Sequence, residues 1–350
     1  MAIQKYTTAA GRINKLKGEI LAHAMPVEVL GITGTQKQMP KNKGDTIVFR
    51  RWLPFGGVDN QFITPGATDA ASEYEQAHML EEGVTPSAET LTPADVTATL
   101  QEYGVLFALT NKAADLYEDD MPAEMKKQTG ERIGLVREMS RYGALKGSTN
   151  KYYAGGTSRA TVDEKVSINL LRKITRSLKT NHASMITSIL APSPNYGTSA
   201  IEASYLVFAH TDCEADIRDL TGFTPVAEYG TRKPIHEMEV GSVENFRFVL
   251  SPELVPIQDA GAAIGATGLY STTGTLIDVY PVIVAAEDAW GQVALRGADS
   301  IEPTYLPPGQ RDKQDPLGQR GYVGCSTWFT SVVLNNGWMA VAEVGVTDLG

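Results

Sequence analysis

The chain has 350 residues, 42% of them hydrophobic and 21% charged, with a formal net charge of −10. This composition is globular and long enough for two cores, and its acidic balance excludes a dedicated nucleic-acid binder, which would show a basic face. The opening MAIQKYTTAAGRINKLKGEI lacks the apolar stretch of a signal peptide, no run approaches the ~18 apolar residues of a membrane span, and Cys213 and Cys325 stand in no metal or redox spacing, so a reducing cytoplasmic origin is expected.

Charge is unevenly distributed. Residues 1–43 carry seven Lys and Arg (Lys5, Arg12, Lys15, Lys17, Lys37, Lys41, Lys43) against Glu19 and Glu28. Pro26, Gly31, Gly34 and Pro40 break any larger unit there, and the segment reads as a basic arm. From Trp52 to Asn111 there is no Lys or Arg, but there are nine acids, including Glu73, Glu75, Glu81 and Glu82. Opposite charge on separate segments invites attraction across a subunit boundary; the bland alternative is two solvated segments with a chance bias.

GDTIVFRRWLPF alternates as a strand, with Ile47, Phe49, Arg51 and Leu53 against Thr46, Val48, Arg50 and Trp52. DVTATLQEYGVLFALT, from Asp95, is a second such run. The Gly- and Pro-rich stretch between them is too long for an ordinary loop in a compact domain. The economical geometry is a two-stranded arm with an irregular tip. A lone hairpin is marginal in water and needs a neighbour to lie on.

Pro122–Gly147 predicts a helix, with Asp119 and Asp120 as N-caps and proline in the first turn. Its 26 residues make a rod of roughly 40 Å, long for a globular helix. Glu124, Glu131 and Glu138 recur every seven residues as a charged stripe, and Arg137, Arg141 and Lys146 sit where the macrodipole favours cations. Gly130, Gly134 and Gly143 each cost about 1 kcal/mol against alanine, which implies close packing at those positions. The helix reads either as a spine crossing the subunit or as an ordinary charged surface helix.

TVDEKVSINLLRKITRSLKTNHASMITSIL predicts another helix, with Ile168, Leu171, Ile174, Leu178, Met185 and Ile189 near helical spacing. SYLVFAHTDC reads as a buried strand, EADIRDL as a helix, and ENFRFVLSPEL and TLIDVYPVIVAAEDAW as further strands. GYVGCSTWFTSVVLNNGWMAVAEVG gives two strand-like runs around the turn signal Asn335-Asn336-Gly337. Helices and strands mix without βαβ alternation, which makes the class α+β.

Motifs for chemistry are missing. His23, His78, His182, His210 and His236 show no metal-ligand spacing, and there is no P-loop, dinucleotide fingerprint or nucleophile elbow. His210-Thr211-Asp212-Cys213 is the one tempting cluster, a Cys beside a His. A strand-end histidine and a core cysteine explain it better, so no enzyme, cofactor or metal is expected.

LEEGVTP (80–86), VTATLQEYG (96–104), SYLVFAHTD (204–212), DVYPVIVAAEDAWG (278–291), DPLGQRGYVGCSTWF and VVLNNGWMA (315–340) resemble the major capsid family of Schitovirus-type podophages. The order of parts resembles the Johnson fold of tailed-bacteriophage capsids. The resemblance implies an N-terminal arm at 1–44, an extended β-hairpin loop at 45–110, and a peripheral domain with a spine helix at 111–160. It further implies an axial domain at 161–299 and a C-terminal return at 300–350. The implied function is structural: hexamers and pentamers closing into an icosahedral shell around double-stranded DNA, bound without sequence specificity. Scaffold, portal and decoration proteins are the further implied partners, with the virion as location, assembly in the bacterial cytoplasm and no membrane contact. Cys325 departs from the aromatic or apolar residue expected in its motif, and no Lys–Asn cross-linking pair can be located.

Arg50 and Arg51, the arm's Lys5, Arg12, Lys15 and Lys17, and the loop's Glu73, Glu75, Glu81 and Glu82 are the candidate inter-subunit contacts. The alternatives are an encapsulin-like cellular shell, a decoration or tail protein, and an enzyme built on His210 and Cys213.

Overall fold

The computed structural model describes residues 28–40, 44–54, 60–62, 75, 78–85, 88, 90–116, 120–190, 198–230, 232–265, 267–295, 301–311, 313 and 315–350. In chain order the strands and helices are β1 (Thr35–Met39), β2 (Thr46–Trp52), β3 (Pro93–Thr99), β4 (Gln101–Thr110), α1 (Asn111–Leu116) and α2 (Met121–Lys146). There follow β5 (Lys151–Tyr153), α3 (Ile168–Thr180), β6 (Ile186–Leu190), β7 (Thr198–Ala209), α4 (Glu214–Arg218), β8 (Thr224–Pro225) and β9 (Glu239–Val243). The last are β10 (Phe246–Leu250), β11 (Tyr280–Ala285), β12 (Trp290–Leu295), β13 (Ile301–Leu306), β14 (Arg320–Val333) and β15 (Met339–Val344). The mixture is α+β, as expected.

An eight-stranded sheet runs β5-β15-β11-β7-β10-β9-β8, with β6 also on β7. Its centre is buried on both faces. Tyr280, Val282 and Val284 of β11 enter the core shared with α3, while Ile283 and Ala285 enter a second core with Tyr142, Leu145 and Trp290. Burial on both sides is why β11 reads as an unbroken apolar run and β15 as one interrupted only by Glu343, rather than as alternating strands. A five-stranded sheet joins β1-β12-β14-β13, with β4 on the free edge of β14. Among the described residues, strands β2 and β3 pair only with each other, from Thr46↔Thr99 to Trp52↔Pro93.

The long helix forms within one residue of expectation. Asp120 caps it, accepting from the Ala123 amide at 3.1 Å, with proline in the first turn; Asp119 lies outside the described residues. Helix α2 packs on β4 and β14 through arginine as much as through apolar residues. Arg132 stacks on the Phe107 ring, and Arg137 and Arg141 on Phe329, at 5.0 to 5.3 Å.

The charge stripe reads differently in three dimensions. Glu138 is fully buried and Arg141 nearly so, and they pair at 3.2 Å. Arg141 thus serves an internal network rather than the macrodipole. Of the three glycines, only Gly134 is crowded, by the Glu28 carboxylate; Gly130 and Gly143 have open space where a Cβ would stand.

The second helix is shorter than its periodicity suggests. It stops at Thr180, and Met185 and Ile189 belong to the β6 region instead. His182 takes a left-handed φ of 54°, its amide donates to Lys179, and the Ala183 amide donates to Leu178. This is a Schellman ending made without glycine. Trp338 Nε1 donates to the Asn181 carbonyl at 2.8 Å and secures it from outside.

The two C-terminal strands form no hairpin. β14 pairs with β4, β12 and β13, whereas β15 pairs with β5 and β11, so the turn between them passes the chain from one sheet to the other.

Candidate assembly interface

The β2–β3 arm has one face on the body and one bare. Ile47 and Phe49 pack with Met39, Ala98, Leu100 and Val293. The other face exposes Val48 and Trp52, at 51% and 59%, with Leu91 at 62% just before β3. Among the described residues nothing covers this apolar side, and a lone two-stranded sheet with bulky apolar residues exposed suits contact with another molecule.

The loop-side end of the arm is pinned to the body by polar contacts. Arg51 Nη1 donates to Asn60 Oδ1 at 2.6 Å, and Asn60 and Asn335 exchange amide hydrogen bonds at 3.0 and 2.7 Å. Asn335 also accepts from the Gly337 amide, while Asn336 Oδ1 accepts from Ser148 Oγ and the Thr149 amide, each at 3.0 Å. The Asn-Asn-Gly turn is therefore a junction for the arm, the exit of α2 and both sheets. The sequence marked it as a turn; nothing in its pattern indicated the side chains it would hold.

The segment leading out of residues 1–27 is equally fixed. Glu138 Oε1 accepts from the Val29 and Leu30 amides at 2.8 Å each, and Arg141 reaches Glu28 Oε2 at 3.3 Å and Gln292 Oε1 at 3.2 Å. Gly34 turns at φ 93° against the Trp290 ring, where a Cβ would come within 2.7 Å. Trp290 Nε1 donates to Thr33 Oγ1 at 3.2 Å.

The candidate contact residues fall as follows. Arg50 and Arg51 occupy opposite faces of β2. Arg50 makes a two-pronged bond to Asp95 across the arm, both distances 2.7 Å, which raises its own pKa and lowers that of Asp95. Glu75, Glu81 and Glu82 are exposed, and no ion pair joins them to Arg50 among the described residues. Lys5, Arg12, Lys15, Lys17 and Glu73 lie outside the described residues.

The His210 cluster offers no nucleophile. Burial pushes the Cys213 thiol far up, with Asp216 and Asp212 adding to the effect. His210 Nδ1 accepts from the Asp212 amide at 3.1 Å, and Tyr280 Oη donates to Asp212 Oδ2 at 2.9 Å. Cys213 belongs to the apolar core beneath α3. Among the described residues no His, Cys, Asp and Glu group could hold a metal ion, and no helix is long and apolar enough to cross a membrane. Cys325 is also buried, its Sγ 3.8 Å from the Thr129 carbonyl.

No protein-family model matches the chain. The major capsid protein of Pseudomonas phage KPP21 is 20% identical over 341 residues, covering 87% of this chain and 85% of that one. Among solved structures, the capsid of Ralstonia phage GP4 superposes with a TM-score of 0.66 at 11% identity, covering all of both chains. The capsid asymmetric unit of cyanophage Pam1 gives 0.59 at 14% identity, covering 99% of this chain and 100% of that one. The capsid of cyanophage P-SCSP1u gives 0.59 at 13%, covering 96% and 93%. With its long helix, two-stranded arm and paired sheets, the chain has the Johnson fold of tailed-bacteriophage capsid proteins.

Proposed function

We propose that this chain is the major capsid protein of a tailed bacteriophage. It assembles with copies of itself, as hexamers and pentamers, into an icosahedral shell around double-stranded DNA. The observation that carries the reading is the β2–β3 arm, packed on the body along one face and apolar on the side that the described residues leave bare. The likeness of fold and the capsid relative in Pseudomonas phage KPP21 support the same conclusion.

In this reading residues 111–160 belong to a peripheral domain and 161–299 to an axial domain that meets its copies at the capsomer centre. The basic residues Lys5, Arg12, Lys15 and Lys17 lie against the acidic loop residues Glu73, Glu75, Glu81 and Glu82 of an adjacent subunit, whereas Val29–Met39, read from sequence as part of the same arm, is packed into the body of its own chain. Scaffold, portal and decoration proteins are its further partners in the virion.

The test is electron microscopy with mass determination of the chain produced alone in bacteria. Closed shells, or rings of five and six subunits, are expected. A monomer of 37.8 kDa that stays monomeric in phage-infected lysate would overturn the reading.

A further inference from the structure

Helix α3 carries four cations and no carboxylate, in a chain of net charge −10. Leu170, Leu171, Ile174 and Leu178 face the core, which leaves Arg172, Lys173, Arg176 and Lys179 exposed. Two of these are engaged. Arg172 donates through Nε and Nη2 to Glu244 at 2.9 and 2.6 Å, and the Lys173 ammonium sits 5.6 Å from the centre of the Tyr152 ring. Arg176 and Lys179 have no carboxylate in ion-pairing range among the described residues.

The turn between β9 and β10 forms the other wall of an open depression of about 590 Å³ beside these cations. Its hydroxyls are already committed, since Thr175 donates to the Leu171 carbonyl and Thr180 to the Arg176 carbonyl. The remaining donors are Arg176, Lys179 and the side-chain amide of Asn245. Its one carboxylate, Glu244, is taken by Arg172. A fitting ligand is anionic, rich in acceptors and extended along the helix. Arg172 to Lys179 spans about 10 Å, the rise of about three phosphates on one strand of duplex DNA.

We infer that this face of α3 is a local contact for the phosphodiester backbone of double-stranded DNA, made without base readout. The inference rests on the shell reading for the source of that DNA. It is compatible with an otherwise acidic subunit that does not grip the genome, because two or three cations give weak, strongly salt-dependent binding.

The experiment titrates a fluorescent duplex of about 30 base pairs, of random sequence, with the full chain at several salt concentrations, read by anisotropy. Wild type is compared with R176E/K179E and with K233E/R311E, which changes net charge equally at exposed residues elsewhere. The expected result is at least a tenfold loss of affinity at low salt for R176E/K179E. Its slope of log K against log salt should flatten by about two, with the control double variant keeping the wild-type slope. Equal behaviour of the two double variants would overturn the inference, as would wild type that binds no duplex at about 50 mM salt. So would polyglutamate binding that R176E/K179E alone abolishes while duplex binding survives, since the face would then serve an acidic protein. Shell formation is scored separately by microscopy. Wild-type shells without the α3 effect would sink this inference alone, and a chain that stays monomeric even in phage-infected lysate would sink the shell reading whatever the duplex does.

Discussion

Glu138, inside the long helix α2, accepts a hydrogen bond from the backbone amide of Leu30 at 2.8 Å, across 108 residues of sequence. The same oxygen takes the Val29 amide, and the other oxygen holds Arg141. All of this is out of water. Removing the carboxylate leaves two buried amides and a buried guanidinium short of partners. Glu138→Ala should therefore cost about 3–5 kcal/mol of folding stability, read as a lowered denaturant midpoint. Glu138→Gln keeps one acceptor oxygen and should fall between the two. A loss under about 1 kcal/mol for the alanine variant would refute the role assigned to this network.

The helix glycines divide into two kinds. Gly130→Ala and Gly143→Ala place a methyl in open space and should each stabilise the subunit by about 1 kcal/mol. Gly134→Ala pushes its methyl onto the Glu28 carboxylate, which must swing off Arg141. That loss offsets the helical gain, so the melting temperature should rise for the first two variants and not for the third.

Glu343 is the acid-sensitive tie of the eight-stranded sheet. It is fully buried and receives both Arg159 nitrogens at 2.7 Å and Lys151 at 3.4 Å. Burial alone would raise its pKa, but the bonded Arg159 and the nearby Lys151 outweigh that and hold it below 4.5. The folded value is the lower one, so its contribution is fully present above the unfolded pKa. It is lost as pH falls through the folded value. Stability measured from pH 7 down to about pH 3 should drop on the acid side, and Glu343→Gln should be less stable at pH 7 with a shallower acid limb.

The arm predicts a separation of folding from assembly. Trp52→Ser removes an exposed ring and should change subunit unfolding by no more than about 0.5 kcal/mol, while sharply reducing the yield of shells. A variant that assembles normally would remove the arm's bare face from the interface.

Salt should weaken assembly if, as proposed, Lys5, Arg12, Lys15 and Lys17 pair with Glu73, Glu75, Glu81 and Glu82 of a neighbour. Screening length shrinks from about 10 Å at 0.1 M salt to about 3 Å at 1 M. Light scattering should show assembly slowing over that range, and indifference to salt would count against the pairing.

The arm, the long helix and the C-terminal strands were legible because each rests on local rules. Ile47 and Phe49 alternate with exposed Val48 and Trp52, and Asp120 with Pro122 announces a helix start. What sequence patterns missed was decided by distant partners. The pattern puts Arg137 at the cation-favouring end of the helix and says nothing of Arg132, whereas Phe329 and Phe107 supply the rings they stack on. Helix α3 runs on by periodicity, yet a left-handed histidine and the Trp338 indole end it. The capsid fold itself was read from resemblance, and the structure supplied the junction at Asn335 and Asn336 that holds its parts together.

The ladder between β4 and β14 runs through ten register pairs, from Thr110↔Arg320 to Gln101↔Phe329, and β4 is the strand onto which the arm leads. A tug on the arm along that strand would load those backbone hydrogen bonds side by side, in shear, rather than peel them one at a time. Tension gathered at a neighbour's surface would thus pass into the body as a distributed strain, and the joint would resist rupture far better than its few exposed contacts suggest.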